Sequence, residues 1–199
     1  MCPVKLVKDK SPQSIDGVID AINQSGVVII PTDTVYGLSA LAKDKRAVEK
    51  IYTIKKRDRK KPLIVLMKSF CMLREYCFLN QQQYNYLKKA LTGKRAVTVI
   101  LKNKSKELAH LVGANQTLAI RIPQQSDFLM QLLKKLKKPI VSTSLNLSGE
   151  KEILDLTNSA GGKIIKQVQF VMDVGKLKKR QPSKIVDISN IPTVKIIRK

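Results

Sequence analysis

Apolar residues recur along this chain in two alternating patterns. Ile15, Val18, Ile19 and Ile22 stand at i, i+3, i+4 and i+7, one face of a helix. Ser11-Pro12 gives that helix its start, a cap residue followed by proline at the first helical position, and Gly26 gives its stop. Val27-Val28-Ile29-Ile30 then runs continuously apolar up to Pro31, which predicts a strand buried on both faces. The succession repeats. Asp44 caps a second helix with Ala47, Val48, Ile51 and Tyr52 on one side. Lys55 continues that face, so its stem is covered while its head is left to a cavity. Pro62 blocks further helix, and Leu63-Ile64-Val65-Leu66-Met67 reads as another buried strand.

Helical stretches at 70–77 and 82–91 lead to Gly93 and a strand over 96–101. Residues 117–123 have strand length and end at a proline. Ser126 caps an amphipathic helix with Leu129, Leu132, Leu133 and Leu136 on one face and lysines on the other. Pro139-Ile140-Val141 predicts a short strand that stops in Ser142-Thr143-Ser144-Leu145-Asn146-Leu147-Ser148-Gly149, just as residues 32–38 predict a polar turn after the strand at 27–30. Residues 4–7, 168–172, 184–188 and 194–198 complete the strands. Strands alternating with helices predict an α/β layer fold on a mixed sheet, since the closely spaced C-terminal strands exclude a purely parallel one. No repeat, low-complexity linker or break in composition divides residues 1–199, so one domain and no second is expected.

Composition narrows the class. A hydrophobic fraction of 43% and a charged fraction of 27% are those of a soluble globular protein, and no apolar run is long enough to span a bilayer. The N-terminus lacks the long apolar stretch of a signal peptide. Cys2, Cys71 and Cys77 are odd in number and form no Cys-x-x-Cys pair, which predicts reduced thiols in a cytoplasm and no structural zinc. The net charge is +23, with thirty lysines against eight arginines. Abundant Ile and Asn make part of that charge a matter of AT-rich codon usage. The remainder predicts a positive surface that attracts phosphates, on RNA or on a nucleotide. The single histidine, His110, stands in the apolar Leu108-Ala109-His110-Leu111-Val112 and reads as structural. Its isolation argues against a Ser/Cys–His triad and His-based metal sites.

Candidate chemistry centres on Lys55-Lys56-Arg57-Asp58-Arg59-Lys60-Lys61, six cations in seven residues. Three hydroxyl-rich segments, 32–38, 142–149 and, more weakly, 181–184, each follow a buried strand. Loops at strand ends are where open α/β sheets bind ligands, and hydroxyls, an Asn and free backbone N–H groups suit phosphate or carboxylate oxygens. Any one of them is equally an ordinary capped turn; three with a Lys/Arg cluster predict an anion-binding cleft. Neither Gly-x-Gly-x-x-Gly nor a P-loop occurs, so an ATP site here is of another design. Attack on a phosphate fits, because positioning and cationic stabilisation count for more there than an acid/base dyad. Lys55 and Arg57 would neutralise phosphate charge, Arg57 with bidentate geometry. Arg121, at a strand end, is suited to clamp a carboxylate, or by spacing alone is a surface arginine.

The segments Pro31-Thr32-Asp33-Thr34-Val35-Tyr36-Gly37-Leu38, Lys55-x-Arg57-x-x-x-Lys61-Pro62-Leu63, Leu118-Ala119-Ile120-Arg121-Ile122-Pro123 and Ser142-Thr143-Ser144-Leu145-Asn146-Leu147-Ser148-Gly149 resemble the ordered motifs of the YrdC-type threonylcarbamoyl-AMP synthase family, in its single-domain, bacterial-type branch. The tail, Pro182-Ser183-Lys184-Ile185-Val186-Asp187 and Ile196-Ile197-Arg198, is similar too, so the resemblance covers nearly the whole chain. It implies a single twisted α/β domain with flanking helices and a positively charged concave cavity. It implies that L-threonine, bicarbonate (or CO2) and ATP are joined into L-threonylcarbamoyladenylate with release of pyrophosphate. That product would pass to a separate tRNA threonylcarbamoyl transferase complex, which makes N6-threonylcarbamoyladenosine at position 37 of tRNAs reading ANN codons. Carried over residue by residue, Thr34, Arg121, Ser142 and Ser183 would hold threonine. Arg57, Lys61, Thr117, Ser144, Asn146 and Arg198 would line the ATP site, with Lys55 and Arg57 as the catalytic cations. Mg2+ would come with ATP, without protein ligands. Asp58 stands where the family commonly has proline, Leu66 where some members have histidine, Leu145 in place of a small residue, and Lys184 in place of a common Thr. The first three bear on the pocket and its rim.

Two other readings share the charge. One is a non-catalytic module that grips duplex RNA or tRNA in the same basic cavity; an aromatic content of 5% with no Trp disfavours base stacking on single strands. The other is a carbamoyl-transfer domain of the kind embedded in larger hydrogenase-maturation proteins, against which the absence of zinc-finger cysteines and flanking domains argues. A cytoplasmic protein without membrane contact is expected throughout.

Overall fold

Ten strands make one mixed sheet in the computed structural model, which describes residues 4–157 and 159–199; Cys2 lies outside them. In chain order the strands are β1 (Lys5–Val7), β2 (Val28–Pro31), β3 (Tyr36–Leu41), β4 (Ile64–Leu66), β5 (Val97–Lys102), β6 (Thr117–Arg121), β7 (Ile140–Ser144), β8 (Phe170–Met172), β9 (Lys184–Asp187) and β10 (Lys195–Arg198). The helices are α1 (Pro12–Asn23), α2 (Lys45–Lys55), α3 (Phe70–Tyr76), α4 (Gln81–Leu91), α5 (Asp127–Leu136) and α6 (Ser159–Ile165). Across the twisted sheet the order is β1-β8-β2-β3-β7-β4-β6-β5-β9-β10, with parallel pairs β1–β8, β8–β2, β4–β6 and β5–β9 among antiparallel ones. This is the single α/β domain with flanking helices that the alternating patterns predict.

The helices start where the sequence places caps. The side chains of Ser11, Asp44 and Ser126 accept from the backbone N–H three residues on, at Ser14, Ala47 and Leu129. Their apolar faces fall on opposite sides of the sheet. Ile15, Val18 and Ile22 of α1 pack with Leu129, Leu132, Leu133 and Leu136 of α5 against Val28, Ile30, Leu66 and Ile140. Ala47, Val48 and Ile51 of α2, Met72 and Leu73 of α3 and Leu87 of α4 pack on the other face against Ile29, Val65, Val99, Ile120, Val141 and Val186. Because a strand turns successive side chains to opposite faces, one buried between two helical layers is apolar at every position.

The α1–α5 layer packs against the β1 half of its face. On the same face of the other half, Ile100, Ala119, Arg121 and Ile185 look into a cavity. That bare half is what makes the fold concave.

Two boundaries differ from the sequence pattern. The turn after β2 is Thr32–Val35 alone: Thr32 Oγ1 donates to the Val35 carbonyl (2.6 Å) and accepts from Thr34 N and Val35 N. Tyr36-Gly37-Leu38 already belongs to β3, a buried central strand paired with β2 and β7. Its Gly and Ser resemble loop residues because they lie on the cavity face, where only small groups fit. A Cβ at Gly37 would stand 2.6 Å from Ser142 Oγ and 2.8 Å from Thr32 Cγ2. Likewise β7 does not stop at Val141 but carries Ser142, Thr143 and Ser144 within the ladder. Two 3-10 turns, Lys106–Leu111 and Ala114–Gln116, and the helix α6 have no counterpart in the expected elements. His110 lies in the first of these turns, both ring nitrogens sealed from solvent and without a hydrogen-bond partner among the described residues. No helix is long and apolar enough to cross a membrane.

Candidate active site

The cavity over the exposed half-face has a volume of about 420 Å3. Its floor is β3, β7, β4, β6, β5 and β9, and its rim is the Thr32–Val35 turn, the segment after α2, the segment before β9, and β10. Arg57, Lys60, Lys61, Arg121, Arg180 and Arg198 line it, with Glu152 as the acidic lining residue. The three hydroxyl-rich segments converge here, which the sequence order alone does not require.

The α2 end shapes one wall. Lys56 turns left-handed (φ 49°) and closes the helix, with Arg57 N donating to Tyr52 O (3.0 Å). Asp58 then caps the next turn, its Oδ1 accepting from Lys60 N (2.9 Å) and its carbonyl from Lys61 N (3.0 Å). A carboxylate thus does there what a proline would do by ring geometry. Arg57 is half-buried, Nε donating to the Lys61 carbonyl (3.0 Å) and Nη2 to the Pro62 carbonyl (3.2 Å). That uses two of its five N–H groups and leaves the others without partners among the described residues. Arg59 points away and pairs with Glu49 (Nε to Oε1, 2.6 Å), whereas Lys60 lines the cavity.

Arg121 ends β6 only 6% exposed, facing the Asp33 carboxylate at 3.4 Å. Burial pulls the Arg121 pKa down and the Asp33 charge opposes it. Arg121 Nε and Asp33 Oδ1 have no hydrogen-bond partner among the described residues. Arg180 reaches over from the segment before β9 and donates to the Asp33 carbonyl (3.2 Å). Behind it, Tyr36 Oη donates to the Gly175 carbonyl (2.7 Å) and accepts from Val174 N (2.8 Å), its pKa pushed up to about 12 chiefly by burial.

The opposite wall is built on Ser183, whose hydroxyl bonds Thr98 (2.9 Å) and accepts from Arg198 Nη2 (3.0 Å) while its carbonyl accepts from Arg198 Nε (2.9 Å). Burial first, and then the charges on Arg121 and Arg95, pull the Arg198 pKa down. A cation depressed by like charges in a half-dry cleft is relieved by a bound anion. Ser142 is buried and accepts from Ser39 Oγ (3.0 Å).

Thr34, Arg57, Lys61, Arg121, Ser142, Ser144, Ser183 and Arg198 therefore share this cavity. Lys55, Thr117 and Asn146 do not line it. The Lys55 head does not face the cavity: it is sealed at 1% exposure behind the wall. Thr117 lies on the Ala119–Arg121 face of β6 but donates its hydroxyl to the Ala114 carbonyl (2.7 Å). Asn146 is buried, its amide spent on Lys55, Ser144 and the Glu150 carbonyl. Leu66 and Leu145 are fully buried in the two cores and take no part in the cavity lining. Thr32, Asp33, Lys60, Glu152 and Arg180 were not reached as site residues from the sequence. Thr32, Asp33 and Lys60 stand inside segments the sequence singles out, Asp33 as the one carboxylate in a hydroxyl-rich motif, whereas Glu152 and Arg180 have no such sign.

The Sua5/YciO/YrdC family model, described as "Telomere recombination", matches residues 20–199. A protein of Methanocaldococcus jannaschii, provisionally named a threonylcarbamoyl-AMP synthase, is 33% identical over 85% of this chain and 78% of its own length. The threonylcarbamoyl-AMP synthase of Wigglesworthia glossinidia brevipalpis is 30% identical over 97% of each chain. Among solved structures, a variant of P. abyssi Sua5 superposes over 100% of this chain with a TM-score of 0.84 at 25% identity, the match spanning 60% of that longer chain. With motifs, fold and cavity agreeing along its length, the chain belongs to the Sua5/YciO/YrdC family.

Proposed function

We propose that this protein is an L-threonylcarbamoyladenylate synthase, a nucleotidyltransferase that joins L-threonine, bicarbonate (or CO2) and ATP and releases pyrophosphate. The observation that carries this reading is the coexistence, in one cavity, of a buried arginine beside hydroxyls (Arg121, Thr34, Ser142) and a second set of cations (Arg57, Lys61, Arg198). The first set suits an amino acid carboxylate, the second a triphosphate. Synthase naming among the relatives supports the same reaction.

On this reading the threonine amine attacks CO2, forming the N–C bond of a carbamate and losing a proton to solvent. A carbamate oxygen then attacks the α-phosphorus, and the bond to the bridging oxygen breaks with its electron pair leaving on pyrophosphate. The protein's share is to hold three small reactants together and to face the developing charge with Arg57 and its neighbours. The lining offers one carboxylate residue, Glu152, so it fits a magnesium ion carried on phosphate oxygens and water more than one caged by side chains. Held that way, the ion would supply neutralisation of triphosphate charge and stabilisation of the leaving pyrophosphate. The mixed anhydride so made is an acylating agent for a cytoplasmic tRNA threonylcarbamoyl transferase complex, supplying N6-threonylcarbamoyladenosine.

Purified protein given ATP, Mg2+ and bicarbonate tests this. Pyrophosphate release that depends on L-threonine is expected; release indifferent to threonine, or none from folded protein, sinks it. A non-catalytic RNA-binding module fits less well, because about 420 Å3 is the size of a small-molecule pocket and does not admit a duplex.

A further inference from the structure

Lys55 is a cation with no room left for a ligand. All three ammonium hydrogens are engaged, with the Ser144 carbonyl (2.5 Å), the Asn146 carbonyl (2.8 Å) and Asn146 Oδ1 (2.7 Å). Its own carbonyl accepts from Ser148 N (2.9 Å), so backbone and side chain grip the same segment. Asn146 Oδ1 is shared: Ser144 Oγ donates to it as well (2.8 Å). Asn146 Nδ2 continues the chain of contacts to the Glu150 carbonyl (2.7 Å). Of these residues Ser144 is the one that lines the cavity.

We infer that Lys55 is a positioning residue, whose buried ammonium gathers the oxygens of Ser144 and Asn146 and thereby sets the Ser144 wall of the nucleotide site without touching phosphate. The inference rests on reading that cavity as an ATP site. Three oxygens pointing at one buried spot repel each other unless a cation sits among them. A phosphate contact by Lys55 would have to break one of the three bonds and open the wall. The charged groups that face the ammonium are Arg57, from the segment that follows α2, and Glu152, from the segment after β7. Burial and then the Arg57 charge draw the Lys55 pKa down to about 8, with Glu152 opposing. The tether is therefore pH-sensitive within the range where the enzyme can be assayed.

A double-mutant cycle on ATP affinity separates positioning from direct contact. Lys55→Met keeps the stem and removes the ammonium; Ser144→Ala removes the hydroxyl it positions. Lys55→Met is expected to weaken ATP binding about tenfold, and the double variant to bind within about twofold of the weaker single variant. Losses that multiply would overturn the inference. In the unsubstituted protein, ATP affinity falls between pH 7 and pH 9, and in Lys55→Met that slope is flat; a slope retained in the variant overturns the assignment to Lys55. Should Lys55→Met not fold, Asn146→Ala with Ser144→Ala makes the same cycle from the other end, with the same expected and opposing outcomes. Pyrophosphate release is measured separately: ATP binding without threonine-dependent release sinks the reaction and leaves the tether standing, and a protein that binds no ATP removes both.

Discussion

The Arg121 guanidinium stands 3.4 Å from the Asp33 carboxylate, with neither side chain more than 6% exposed and no hydrogen bond to Asp33 Oδ1. An ion pair this dry and this loosely joined holds both charges in place without using up the arginine. It leaves Arg121 able to take a second carboxylate.

Removing the Asp33 charge should therefore cost stability and make it ligand-dependent. Asp33→Asn leaves Arg121 buried and uncompensated, a loss on the order of 3–5 kcal/mol for a broken buried pair. L-threonine, bringing its own carboxylate, should raise the melting temperature of the variant by more than that of the unsubstituted protein. Equal shifts in thermal denaturation would show that the threonine carboxylate does not go to Arg121.

Arg57→Ala should slow threonine-dependent pyrophosphate release by about 10²–10³-fold, roughly 2.7–4 kcal/mol of barrier by analogy with loss of an oxyanion-hole donor. On the proposed assignment of Arg57 to the triphosphate, the loss should fall on kcat more than on the KM for threonine. A pure KM effect for threonine would move Arg57 to the amino acid subsite.

At Gly37 the space for a methyl group is already taken by Ser142 Oγ and Thr32 Cγ2. Gly37→Ala should destabilise by about 1–3 kcal/mol through overpacking, and should raise the KM for threonine by displacing Ser142. Denaturant unfolding and steady-state kinetics read the two effects independently.

His110 predicts acid sensitivity. Burial lowers its pKa in the fold below the ordinary 6.5. As pH falls through 6.5 the unfolded chain takes up the proton and the folded chain does not, so this contribution to stability declines between 6.5 and the depressed folded value. It is fully present above pH 6.5. Urea midpoints compared at pH 7.5 and pH 5.5 should converge in His110→Asn relative to the unsubstituted protein; an unchanged difference would assign the acid sensitivity elsewhere.

The basic run at 55–61 shows how far such a chain can be read without its fold. Its position between a helix end and Pro62 was legible, because capping and proline chemistry are local. The division of labour inside it was not. Arg57, Lys60 and Lys61 reach the cavity, Arg59 pairs with Glu49 outside, and Lys55 is sealed behind the wall. Lys55 is turned inward by Ser144 and Asn146 at the end of β7, a contact between segments far apart in the chain. The same reason hid Asp33: its partner Arg121 comes from β6, far along the chain from the Asp33 turn.

The sequence by itself determined helices α1 to α5 and most of the strands of this protein, because caps, prolines and apolar periodicity act within a few residues of one another. It also determined that cations and hydroxyls would cluster at the ends of strands. Tertiary structure alone decided that Tyr36–Leu41 is a central strand, since its Gly and Ser make sense only beside Ser142. It also decided on which half of one sheet face the helical layer stops, and so where the cavity opens. Those choices rest on packing across the sheet, which no local pattern encodes.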